Sequence, residues 1–194
     1  HDMTSRIGAV QGASARRCLD PHEQDRVWAF RSRSVGLLAA VEGSRRPVPF
    51  VEDCAVPPAA LPAFIAEFRE LLDGHGLRCG MFGHVDAGVI HVRPALDLRD
   101  AADRQRVSVI ADEVAALVGR HGGVLWGEHG KGFRSAFGPS VFGEAIWRQL
   151  CRVKEAFDPT NQLNPGVVAA PRPDMPLATI AAPMRGASDE TIVI

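Results

Sequence analysis

The stretch Gly83–Pro94, GHVDAGVIHVRP, constrains the fold of this chain more than any other. Asp86-Ala87-Gly88 reads as a short turn, because Asp favours turn initiation and Gly accepts positive φ. Met81-Phe82 before it, and Val89-Ile90 with Val92 after it, have strand composition. The segment is therefore predicted to be an antiparallel hairpin, with His84 and His91 at neighbouring cross-strand positions. Period-two alternation places Arg93 on the face of His91.

The flanking sequence supplies helices to cover such a hairpin. Asp20-Pro21 with Glu23 is a helix start, a capping Asp followed by Pro and an acid in the first turn. This helix is expected to run to about Glu42, with Val27, Phe30, Val35, Leu38 and Ala39 inward and Arg31 and Arg33 along it. Pro47–Val51 reads as a strand. Leu61, Phe64, Ile65, Phe68, Leu71 and Leu72 recur at helical spacing over Ala60–Asp73, and His75 follows as an exposed turn residue. A long helix is expected over Arg99–His121, with Val109, Ala111, Val114, Leu117 and Val118 buried. Val124–Trp126 reads as a last strand, and Val141–Phe157 as a final helix stopped by Asp158-Pro159.

Strand, helix, strand, strand, helix, strand is the split βαβ order. The fold class expected is α+β: a ferredoxin-like antiparallel sheet with helices on one face, plus a C-terminal helix and tail. The domain limits read as a linker over 1–19, a single domain over 20–166 and a Pro-rich tail over 167–194. A chain of 194 residues suits one compact domain. With a formal net charge of −1, nothing argues for a nucleic-acid partner. No apolar run approaches the roughly 20 residues that span a bilayer. Cys18, Cys54, Cys79 and Cys151 form no CxxC pair, which speaks against a cysteine-held zinc or iron–sulfur cluster in this segment and fits a reducing cytoplasm.

A second polar patch, Gly127-Glu128-His129-Gly130-Lys131-Gly132, follows the hairpin in sequence. Two histidines and a carboxylate are a catalytic-zinc ligand set that leaves one position open. By spacing alone, two histidines with six residues between them are a weak metal signal, and hydrogen-bonded strand histidines are the more ordinary reading. The glycines around Glu128-His129 permit close backbone approach without naming a reaction.

Three motifs in order, GHVDAGVIHVRP, LWGEHGKGFRS and FDPTNQLNPG, resemble the C-terminal domain of the FAD-linked oxidases, and the similarity runs from about Trp28 to the tail. That family of flavoproteins includes dehydrogenases of D-2-hydroxy acids such as D-lactate and D-2-hydroxyglutarate. The resemblance implies a cap and substrate domain, with FAD held mainly by a separate flavin-binding domain of the same polypeptide. This chain would then be part of a larger enzyme, cytoplasmic or peripheral to the inner membrane, passing electrons to a further acceptor.

The resemblance also assigns residues. His84, His91 and Glu128 match the ligands of a divalent metal, usually zinc, and His129 matches the general base. Arg31, in WAFRSR, matches an arginine that clamps a substrate carboxylate. Arg93 stands where relatives carry a substrate-binding asparagine, and as a cation it would favour a long anionic substrate. Asn164, with Asn161, lies where relatives return to the flavin domain. MRGASDETI, residues 184–192, resembles the junction to an iron–sulfur region in large fused enzymes of the family. Val51 and Val35 replace a lysine and a threonine of the family's substrate site, so part of the distal carboxylate site differs. Two further readings remain at this level: a metal-free oxidase of the same family, and a ferredoxin-like regulatory module that binds a metal or an anion without catalysis.

Overall fold

A computed structural model describes residues 10, 12, 14, 16–37, 43–130 and 132–178. The chain divides into two units, His1–Ala40 and Val41–Ile194. The first contains α1 (Pro21–Leu37), whose Gln24 N–H donates to the Asp20 carbonyl. Val27 and Phe30, expected inward, are 54% and 69% exposed. Charged residues flank them on the helix, and none of the described residues of this unit is buried. The side chains of Val35, Leu38 and Ala39, and the helix beyond Leu37, lie outside the described residues.

The second unit is built on the hairpin. Cys79–His84 forms a strand, one turn of 3₁₀ helix covers Val85–Ala87, and Val89–Leu96 returns. Gly88 closes the turn in the left-handed region at φ 70°. The expected strand at Pro47–Val51 is reduced to two short pairings on the far edge of the returning strand. These are β1 (Arg46–Pro47), opposite Leu96 and Ala95, and β2 (Cys54–Ala55), opposite Ile90 and Val89. The hairpin strands are accordingly β3 (Cys79–His84) and β4 (Val89–Leu96). Pro47 and Pro49 have no N–H to give a continuous ladder, and Asp53, at φ 72°, turns the chain back into the sheet.

The expected fourth strand, Val124–Trp126, is present only as a single bridge. Ala55 and Val124 exchange both backbone hydrogen bonds, at 2.9 and 2.8 Å. Beyond it the N–H groups of Gly127, Glu128 and His129 all turn to Asp53 instead of extending a ladder. The lateral order is Val124, β1 and β2, β4, then β3, all antiparallel. This is the ferredoxin-like order with its edge strand cut short.

Two helices, α2 (Leu61–Gly74) and α3 (Ala101–Arg120), share one core with the sheet. Phe64, Phe68 and Leu72 of α2 meet Ile110, Val114 and Leu117 of α3 over Ile90, Val92 and Leu96 of β4. α3 starts where the Asp100 carboxylate accepts the Ala102 N–H at 2.8 Å. Val109, expected inside, is 50% exposed. It lies about 200° around the helix from Val107, and the buried stripe runs through Val107, Ile110 and Val114 instead. His75 is half-buried rather than exposed, because its Nε2 lies 2.6 Å from the Glu113 carboxylate across the helix pair.

α4 (Gly138–Phe157) bends at Gly143, which has φ 72°. Trp147 and Cys151 form a small second cluster with Ala169. Residues 167–178 carry no helix or strand. They are held by Ala178, which donates to the Gly166 carbonyl and accepts from the Ala136 N–H. All four cysteines are unpaired. No described helix is long and apolar enough to cross a membrane.

Candidate functional site

Alternation along β4 gives its two faces different work. Ile90 and Val92 enter the helical core, which leaves His91 and Arg93 on the opposite face of the sheet. Phe82 is directly opposite His91, and His84 is opposite Val89, so the two histidines are diagonal neighbours on one face. Their ring centroids are 5.7 Å apart. The loop after the Val124 bridge then carries Glu128 and His129 to the same place.

Glu128 Oε1 is the meeting point. His91 Nε2 approaches it to 3.0 Å, His129 Nε2 to 3.4 Å and His84 Nε2 to 3.5 Å. The His91 and His129 rings stack with centroids 4.9 Å apart. His91 is 3% exposed, whereas the side chains of His84, Glu128 and His129 are each 40% or more open to solvent. Burial, reinforced by the neighbouring His129, pushes the His91 imidazole below its ordinary value of 6.5. That shift favours the neutral form, the one that a metal binds. Its Nδ1 is buried without a hydrogen-bond partner among the described residues.

This donor set fits a divalent cation. Imidazole nitrogens and a carboxylate converge from two strands and a loop, and the second ring nitrogen of His91 is buried without a partner among the described residues. Ligand atoms of Asp53, His91, Glu128 and His129 also lie within 4.8 Å of one another. Of the two overlapping sets, the one with His84 leaves Asp53 to a different task. Both Asp53 oxygens already accept backbone N–H groups, from Glu128 at 3.0 and 3.2 Å and from His129 at 2.9 Å.

Arg93 shares the His91 face but is not a lone cation. Its Nε donates to Glu52 Oε2 at 2.7 Å, and its guanidinium lies 5.5 Å from the Phe82 ring centre. The same Glu52 presents Oε1 to His129 Nδ1 at 3.6 Å, a facing charge rather than a hydrogen bond. Arg134 donates to the Glu52 carbonyl, which fixes the base of this acid.

The family description "FAD linked oxidases, C-terminal domain" matches residues 2–168. The chain belongs to this family. Among its relatives, a protein of Pseudomonas putida named D-2-hydroxyglutarate dehydrogenase is 62% identical over 75% of this chain and 14% of its own length. One of the same name from Escherichia coli is 52% identical over 88% of the chain and 17% of its own length. A D-lactate dehydrogenase of Anaerostipes hadrus is 30% identical over 73% of the chain and 29% of its own length. The chain thus spans less than a third of the length of each of these relatives.

Within this FAD-linked oxidase domain the remaining expected site residues are Arg31 and Asn164. Arg31 is exposed on α1 in the first unit, its guanidinium 5.7 Å from the Trp28 ring centre. Asn164 is an exposed turn residue at φ 47°, and its carbonyl accepts the Val167 N–H. The 184–192 motif lies outside the described residues. Sequence reasoning missed Glu52 and Asp53 as site residues. The available signal was their position: two adjacent acids in the apolar run PFVEDCAV must be paired if that run is buried.

Proposed function

We propose that this domain forms the substrate and metal side of an FAD-dependent dehydrogenase that oxidises a D-2-hydroxy acid to the 2-oxo acid. D-2-hydroxyglutarate is the first substrate proposed and D-lactate the second, in line with the names of the relatives. The observation that carries the reading is the gathering of three imidazole Nε2 atoms on the Glu128 carboxylate, on a face with solvent access.

His84, His91 and Glu128 would hold the cation. When bound, a divalent metal, zinc first among them, supplies Lewis acidity that makes a coordinated hydroxyl easier to deprotonate. FAD, held by a flavin-binding domain, would supply the hydride-accepting group. His129 is the proposed base. A proton on its Nδ1, toward Glu52, leaves Nε2 as the acceptor on the Glu128 side, where it can take the hydroxyl proton. The exposed His129 ring can pass that proton to solvent.

Arg93 is the proposed specificity element. Glu52 engages its Nε and leaves the terminal nitrogens for a second carboxylate of the substrate. Arg31 is proposed to bind the substrate carboxylate, and Asn164 to contact the flavin domain, on the family resemblance alone.

The test is anaerobic bleaching of the flavin in the flavin-loaded enzyme by D-2-hydroxyglutarate, D-lactate or glycolate, before and after chelation. Bleaching by one D-acid, lost on chelation and restored by metal, is the expected result. Bound flavin that no acid bleaches would refute the reading. Bleaching indifferent to chelator would favour a metal-free oxidase.

A further inference from the structure

Asp53 has no part in the chemistry proposed above, yet it is fully buried and carries a positive φ of 72°. A non-glycine residue is held in that region at a cost, and Asp and Asn are the types that tolerate it best. Its surroundings explain why the conformation is kept. The Asp53 N–H donates to the Ile90 carbonyl at 3.0 Å, one residue before His91, and its own carbonyl accepts the Gly127 N–H at 2.8 Å. Its carboxylate then takes the next two N–H groups in succession, those of Glu128 and His129. One residue thus joins the strand bearing a histidine ligand to the loop bearing the carboxylate ligand and the base. Three consecutive N–H groups of that loop end on it.

We propose that Asp53 is the positioning residue of this site. It sets the Glu128 and His129 side chains relative to His91 by fixing their backbone from below, without touching substrate or metal. Among the described residues no cation pairs with its carboxylate. A buried acid without a cation is tolerated here because backbone donors saturate it. Gly127 belongs to the same device. A Cβ there would sit 2.9 Å from Val89 Cγ2 and 3.3 Å from Asp53 Oδ1, so only glycine lets the loop approach this closely.

The inference rests on the metal reading only for one of its two measurements. In the purified chain, Asp53→Asn keeps the tolerance for positive φ but replaces one acceptor with an NH₂ that faces an N–H. Asp53→Gly keeps the backbone freedom and removes both acceptors. Asp103→Asn is the control. Asp103 is a buried acid outside the site, held by Arg45, Arg106 and the Asp97 N–H.

Amide hydrogen exchange at Glu128 and His129, followed by NMR, is expected to accelerate at least about tenfold in both Asp53 variants and to stay unchanged in Asp103→Asn. Titration with Co²⁺ alone is expected to give affinity about 10–100-fold weaker in the Asp53 variants, the usual effect of losing an orienting partner, with an unchanged visible spectrum at saturation. Unchanged exchange at both amides would overturn the proposal. So would an altered saturated spectrum, which makes Asp53 a ligand, or an equal loss of affinity in Asp103→Asn. If the unsubstituted chain takes no Co²⁺, the metal reading fails on its own and amide exchange alone decides the role of Asp53.

Discussion

Gly88 closes the turn between the two histidine-bearing strands, and its replacement by alanine separates two effects that are usually confounded. The position has φ +70°, and an added Cβ would lie 1.9 Å from the Val56 carbonyl oxygen. Ordinary contact begins at 3.4 Å, so the turn must move by about 1.5 Å. That movement strains the Val56 N–H to Gly88 carbonyl bond, now 3.0 Å. Positive φ costs an L-residue roughly 1–2 kcal/mol. A lost hydrogen bond adds about 1 kcal/mol and overpacking about 1–3 kcal/mol. The total expected for Gly88→Ala is about 3–6 kcal/mol, which lowers Tm by roughly 6–24 °C in a domain of this size.

Gly76→Ala isolates the backbone effect. Gly76 has φ +65° with nothing within 4 Å of its would-be Cβ. It should cost only the roughly 1–2 kcal/mol of the left-handed conformation. Thermal and urea unfolding of both variants, compared with the unsubstituted chain, provide the assay. Equal losses would refute the argument, because they would mean that the Val56 carbonyl does not approach Gly88 as described. A Gly88→Ala protein that still folds should also bind Co²⁺ more weakly, since the displaced turn separates His84 from His91.

Four further outcomes are expected. Phe68→Ala, at a fully buried position between the helices and the sheet, should cost about 3–5 kcal/mol; a loss under 1 kcal/mol in urea unfolding would mean the core is not packed as described. Burial pushes the Cys54 thiol up to about 12, so iodoacetamide at pH 8 should leave it unlabelled until the chain unfolds, as peptide mass mapping would reveal. Arg93→Ala in the flavin-loaded enzyme should lower kcat/KM for D-2-hydroxyglutarate by about tenfold or more and change D-lactate far less, the loss of one charged hydrogen bond; an unchanged ratio removes Arg93 from specificity. Lys154, bonded to Asp158, holds that carboxyl below its ordinary 3.8, so its stabilising effect is complete above that value and is lost as pH falls through the lower folded value. Asp158→Asn should therefore unfold with a flatter pH dependence below pH 4, measured by circular dichroism during acid titration.

The parts of this fold that could be read from sequence were those governed by local periodicity. The Phe64–Phe68–Leu72 stripe and the turn at Gly88 each follow from spacing and residue type alone, and both are present. The same logic failed where burial depends on what lies opposite. Val27 and Phe30 have helical spacing, but none of the described residues of their own unit is buried against them. Val109 is apolar but falls on the wrong side of α3. The Val124–Trp126 run has strand composition, yet its ladder is stopped by a buried aspartate seventy residues earlier in the chain. At the site, His84, His91, Glu128 and His129 could be picked out by residue type and order, and the chain does bring them together. Glu52 and Asp53 could not, because their roles come from contacts between distant segments, and an acid in an apolar run announces only that it needs a partner.

The alternation of β4 has a consequence for how this domain can change over time. Ile90 and Val92 face the helices while His91 and Arg93 face the opposite side, so the strand is a partition with oil on one side and reactive groups on the other. Inserting or deleting one residue in the turn at Gly88 would exchange the two sides at once, sending an imidazole toward Phe68 and an isoleucine to the ligand face. A substitution at 93 changes the face opposite the core while the sealed side stays intact. The heritable constraint on this hairpin is thus its length more than its lettering, open to point changes but closed to indels.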